Sequence, residues 1–165
     1  GERLFSAAFC GKEQRLRRLL EGGEGAEWAR LIDWTGEQGV TPLHAACQQG
    51  HAACARLLVE RRANVNSVGE EGGETPLLTA CRFGRHECAL LLLRGGADLR
   101  RRGANGESAL HEACRVGSGE CVSALLDAGA EIEATDSQGE PPHASPQISA
   151  ISRSSHPPLM TFTMN

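Results

Sequence analysis

One phrase is written three times along this chain. Thr41 begins "TPLHAACQQGHAACARLLVERRA", Thr75 begins "TPLLTACRFGRHECALLLLRGGA" and Ser108 begins "SALHEACRVGSGECVSALLDAGA". The starts lie 34 and 33 residues apart, from 41 to 75 and from 75 to 108. A period of this length means that each copy is one supersecondary unit, too small to bury its own apolar face. Neighbouring copies must stack to make a continuous core. The repeat therefore predicts the architecture before any single residue is weighed.

Within a copy, Thr or Ser caps the start of a short helix, with Pro42 and Pro76 at the first helical position. Gly50, Gly84 and Gly117 end that helix and allow a tight turn. The runs "CARLL", "CALLLL" and "CVSALL" make a second, apolar helix, closed by Gly95-Gly96 or Ala128-Gly129. The segments "GEEGGE", "RGANGE" and "DSQGE" are polar and Gly-rich, and read as exposed hairpin-like loops.

These units resemble ankyrin repeats, helix–turn–helix units of roughly 33 residues with a T-P-L-H-x-A start. The resemblance implies an all-α ankyrin-repeat solenoid. A fainter unit, "LFSAAFCGKEQRLRRLLEGGEGA", precedes the three when Gly11 is set against Gly50. It lacks the Thr-Pro start and carries Arg15, Arg17 and Arg18 in its second helix, as suits a terminal repeat with a polar outer face. A longer link with Trp28 and Trp34 joins it to Thr41. After Ser108 a fifth unit begins at "DSQGEPP" and then loses the pattern. The expected organisation is a repeat domain over 2–142, with units near 2–40, 41–74, 75–107 and 108–140. A disordered tail follows over 143–165. Five of the seven prolines lie from Pro141 onward, and no acidic residue follows Glu140. The start at Gly1 and the abrupt loss of pattern read as a fragment or a truncated form of a longer array.

Composition narrows the function. Apolar residues are 40% of the chain, enough for a packed core. Aromatics are only 4%, without Tyr, so platforms for stacking single-stranded bases are scarce. The net charge of −4 argues against a general nucleic-acid binder, and Arg100, Arg101 and Arg102 read as a solvated loop. The longest apolar run, Cys88 to Leu93, is too short to span a bilayer. "LFSAAFCG" runs straight into a charged helical pattern, unlike a secretory signal. An intracellular, cytoplasmic setting with free thiols is expected.

Six of the seven cysteines fall in register: Cys47, Cys81 and Cys114 in one row, Cys54, Cys88 and Cys121 in another, with Cys10 outside. Both rows belong to apolar faces, where Cys acts as a small hydrophobe. Two other readings stay open, a zinc site and a disulfide within each unit. The C-x6-C spacing lacks the short hooks of closed zinc sites. His44 and His111 occupy the fourth position of the T-P-L-H element, where ankyrin repeats use His to tie loops, while Leu78 breaks the pattern. No nucleophile elbow, phosphate-cradling loop or metalloprotease helix appears, so no enzyme, metal or cofactor is expected.

The resemblance places partner binding on the loop tips and the last turn of the first helix. Carried onto this sequence, that names Glu37, Gln38, Gln48 and Gln49, then Glu70, Glu71, Glu74, Arg82 and Phe83. Arg102, Asn105, Glu107, Arg115 and Val116 follow, and finally Ser137 and Gln138. Phe83 stands out beside Arg82, since aromatic and Arg side chains are favoured anchors. The wording "LHEAC" followed by a second Cys is, more narrowly, similar to the ankyrin-repeat proteins that carry a SOCS box. That likeness implies capture of a substrate protein by the array. Elongins B and C and a cullin would join only through a SOCS box, making a ubiquitin ligase. No SOCS-box pattern is seen at this C-terminus. The competing expectations are a cysteine-dependent zinc or redox protein and a truncated product without independent function.

Overall fold

A computed structural model describes residues 1–21, 26–36, 39–69, 73–132 and 134–142. Glu37, Gln38, Glu70, Glu71 and the 143–165 tail lie outside the described residues. Each unit is a pair of helices: α1 (Glu2–Phe9) with α2 (Glu13–Glu21), α4 (Pro42–Gln49) with α5 (Ala52–Glu60), α6 (Pro76–Arg82) with α7 (His86–Arg94), and α8 (Ala109–Val116) with α9 (Gly119–Asp127). The first helices pack in the series α1, α4, α6, α8, and the second helices in the series α2, α5, α7, α9. No strand occurs among the described residues. This is the all-α ankyrin solenoid that the repeat predicts.

The start of each full unit is a cap with defined chemistry. The His44 N–H donates to Thr41 Oγ1 at 3.4 Å, and the Thr41 N–H donates to His44 Nδ1 at 3.3 Å. Because Nδ1 accepts, the neutral ring carries its proton on Nε2, which donates to the Glu74 carbonyl at 3.1 Å. Ser108 and His111 repeat the arrangement, with His111 Nε2 donating to the Glu140 carbonyl at 3.0 Å. The imidazole thus closes its own helix and holds the loop that follows the unit. Each such loop is pinched by a backbone bond, Gly69 N–H to Glu74 O, Gly103 N–H to Glu107 O and Asp136 N–H to Glu140 O. Gly50 closes α4 at φ 80°, in the left-handed region, and a Cβ there would also press on the Arg85 side chain at 2.8 Å from Cδ, so the turn favours glycine.

Packing follows the register. Leu43, Leu77 and Leu110 form one buried column, Ala46, Ala80 and Ala113 a second, and Leu58, Leu92 and Leu125 a third on the outer helices. The Ala column lets adjacent first helices approach closely. The Leu columns carry the apolar area, each side chain contributing about 1.5–3 kcal/mol when fully buried. All six cysteines of the two rows are buried. The thiol–thiol hydrogen bonds cross unit boundaries, Cys47 with Cys88 and Cys81 with Cys121.

The first unit solves the same problem differently. Phe5 stands where His44 stands in the next unit, and it meets Trp34 edge-on at 6.2 Å in place of a hydrogen bond. The longer link contains an additional helix, α3 (Ala26–Ile32), which buries Ile32 against the core. The sequence pattern marks that stretch only as a link. A further departure is Arg62, held at φ 68° where the next two units have Gly96 and Gly129 at 85° and 87°.

Arg62→Gly relieves a left-handed non-glycine residue while adding backbone entropy to the unfolded chain, for a net gain of about 0.5 kcal/mol in urea unfolding. Burial holds the His44 ring below its ordinary value of 6.5, against the Glu74 contact that raises it. The ring is therefore neutral in the fold, and its contribution is complete above pH 6.5. Stability should decline as pH falls through and below that point, because the unfolded chain takes the proton first. His44→Ala should cost about 1–2 kcal/mol at neutral pH and flatten that decline.

The candidate interaction face

The last turns of the first helices and the described loop residues lie along one side of the array, and an alternating chain of charges crosses it. Arg82 Nη1 donates to Glu74 Oε2 at 2.9 Å, and Arg82 Nε and Nη2 donate to Glu112 Oε1 at 3.3 and 3.1 Å. The other oxygen of Glu112 accepts from Arg115 Nε at 3.2 Å and also from its Nη2. Thr79 Oγ1 donates to the second oxygen of Glu74 at 3.1 Å. The series Glu74, Arg82, Glu112, Arg115 thus spans three units with no net charge.

Glu112 is the residue that sequence reasoning missed. It is only 3% exposed, at the position held by Ala45 and Thr79 in the units before it. A carboxylate is tolerated there because two guanidinium groups cover both its oxygens. A signal existed: an acid in an otherwise small-residue column, with Arg three residues on and another Arg thirty residues before.

The expected contact residues divide by environment. Phe83 and Val116 are exposed at equivalent positions one unit apart, and Val116 Cγ1 lies 3.5 Å from where a Cβ on Gly84 would be. They form an apolar ledge beside the ion chain. Gln48 and Gln49 are half-buried, and Asn105, Ser137 and Gln138 are exposed on loop tips. Arg82 is spent on intramolecular bonds, whereas Arg115 keeps 62% of its side chain exposed. Arg102 donates to the Gly106 carbonyl within its own loop.

Two recesses open on this side. One of 310 Å³ is lined by Val40, His44, Gln48, Glu74, Arg82 and Phe83, among others. One of 540 Å³ lies beside the last loop, among Glu107, Glu112, Arg115, Asp136 and Glu140. Burial pushes the Glu107 carboxyl up, but the Asn105 side chain, nearby backbone N–H groups and Arg82 bring it below its usual range. Asp136 is held low by the backbone N–H of Glu140 and, further, by those of Gln138 and Gly139 and by His111. The second recess is therefore acidic at neutral pH. Among the described residues no three His, Cys, Asp or Glu side chains are grouped to hold a metal ion. Nor is any helix among them long and apolar enough to cross a membrane.

A family model described as ankyrin repeats (three copies) matches residues 4–102 and 66–136. The comparison with curated proteins gives no match.

Glu112→Gln should cost about 1–3 kcal/mol in chemical denaturation, the worth of hydrogen bonds to a buried charged group. Arg115→Ala should cost a similar amount, because it leaves one oxygen of the buried Glu112 carboxylate without its donors. A cost near zero for both variants would mean that burial of Glu112 does not set the strength of the chain.

Proposed function

Because the chain belongs to the ankyrin-repeat family, we propose that it is a non-enzymatic protein-binding module whose partner seats on the Phe83–Val116 ledge. The observation that carries this reading is the exposure of two apolar side chains at equivalent positions, next to charges that cancel one another. A neutral, hydrogen-bonded floor beside an apolar ledge can be covered with little electrostatic penalty, and Phe83 supplies an aromatic anchor. Gln48, Gln49, Asn105, Ser137 and Gln138 supply polar contacts around it. Glu37, Gln38, Glu70 and Glu71 belong to the same set by repeat position.

A narrower reading assigns the module to substrate recognition in a SOCS-box type ubiquitin ligase receptor. The support is the "LHEAC" wording followed by a second Cys, carried in the third full unit by Cys114 and Cys121. Elongins B and C and a cullin would enter only through a longer form that carries a SOCS box. Seven cysteines outside any disulfide fit a reducing, cytoplasmic setting.

Affinity capture with the full chain, followed by quantitative binding of a recovered partner, tests both readings. Phe83→Ala should weaken that partner by about thirtyfold, corresponding to about 2 kcal/mol at a hot spot. Val116→Ala should weaken it less. A partner held equally well by both variants would remove the ledge from the interface. The narrower reading fails if the captured partners are not shared with any SOCS-box form carrying these repeats.

A further inference from the structure

The two cysteine rows are not equivalent chemically. Cys54, Cys88 and Cys121 are each the third residue of an outer helix, in α5, α7 and α9. A helix N-terminus favours a thiolate, through its unsatisfied N–H groups and its dipole. Cys47 and Cys81 lie in the last turn of α4 and α6, where the dipole has the opposite sign. The stacking of units brings one thiol of each kind together, Cys47 to Cys88 and Cys81 to Cys121.

The surroundings add to this polarity. Contact with Cys81 brings the Cys121 thiol down to about 6 against burial, with the Ser118 hydroxyl and His86 acting in the same direction. Contact with Cys47 lowers Cys88 against burial, and Arg85 lowers it further. Cys47 and Cys81 are raised by the same contacts and by burial. A recess of 210 Å³ between the Gly50 and Gly84 turns has Cys88 among its lining residues, a route for a small solute. The array also holds an internal control. Cys54 would pair with position 8, and Ala8 stands there, so this outer cysteine has no inner-row thiol to meet.

We propose that Cys47–Cys88 and Cys81–Cys121 are oxidisable dithiol sites, at which hydrogen peroxide forms disulfides that staple one repeat to the next. The sulfur of the outer thiolate attacks one peroxide oxygen. The O–O bond breaks, hydroxide leaves, and a sulfenic acid forms. The inner thiol gives up its proton, its sulfur attacks the sulfenic sulfur, and the S–O bond breaks as the S–S bond forms. The departing hydroxide takes a proton and leaves as water. Two thiols and one peroxide thus become one disulfide and two waters, with two electrons passed to the peroxide. The linkage joins different units, unlike the within-unit disulfide that the C-x6-C spacing alone allows.

The test uses the full chain carrying Cys10→Ser, which removes the exposed thiol, reduced and then treated with hydrogen peroxide under native conditions. Six reduced thiols should fall to two, Cys54 and Cys114, and peptide mapping should find Cys47–Cys88 and Cys81–Cys121. The mass should fall by two hydrogens per bond, the melting temperature should rise, and a dithiol reductant should reverse both. Cys81→Ala should leave only Cys47–Cys88, and mapping of the parent keeps the test valid if that variant does not fold. Within-unit linkages, sulfinic acid at Cys88 or Cys121 beside intact inner thiols, or six unreacted thiols would each overturn the proposal.

Discussion

Everything in this molecule depends on the stacking of first helices through columns of small buried residues. A single helix pair of this size leaves one flank apolar. The Ala46, Ala80 and Ala113 column lets the next pair approach closely enough to cover it. Leu43, Leu77 and Leu110 then become a shared core. Stability is therefore a sum of neighbour interfaces, with no central nucleus around which the rest is arranged. The polar devices are arranged on the same stacking. The imidazoles of His44 and His111 each hold the loop that closes their own unit, and Glu112 stays buried because Arg82 arrives from the preceding one.

The candidate interaction face inherits this dependence. Its charges come from three units and cancel only when those units are in place. A carboxylate as buried as Glu112 would be costly in an isolated repeat, and in the array it has four donor contacts from two guanidinium groups. The charged middle of the candidate face is held by hydrogen bonds between units, and Phe83 and Val116 stand exposed beside it.

Legibility in the sequence followed the range of the interaction. Thr-Pro starts, turn glycines and Leu columns act within one unit, and their spacing alone places them. The tie from His44 to the next loop was legible through the family likeness. Helix α3 was not legible, because its stretch has no counterpart in the other units; its Ile32 is buried in the core and its Trp28 packs against it. Glu112 was overlooked because its partners come from another repeat and from the turn below it, so its own neighbours along the chain look ordinary. The cysteine rows were plain, but register places residues within a row and says nothing about the distance between rows. The contacts of Cys47 with Cys88 and of Cys81 with Cys121 needed three dimensions. Among the expected contact residues, Phe83 and Val116 stand exposed, whereas Arg82 is already occupied by Glu74 and Glu112.

The ring ties have a direction. Phe5 reaches forward to Trp34, His44 forward to Glu74 and His111 forward to Glu140; none of these three reaches back. Each ring clasps the loop at the C-terminal end of its own unit, and His111 does so with no helix pair after it among the described residues. The clasp therefore travels with the unit that makes it, and opening the array on either side of such a unit leaves the ring bond in place. The array comes apart between its clasps.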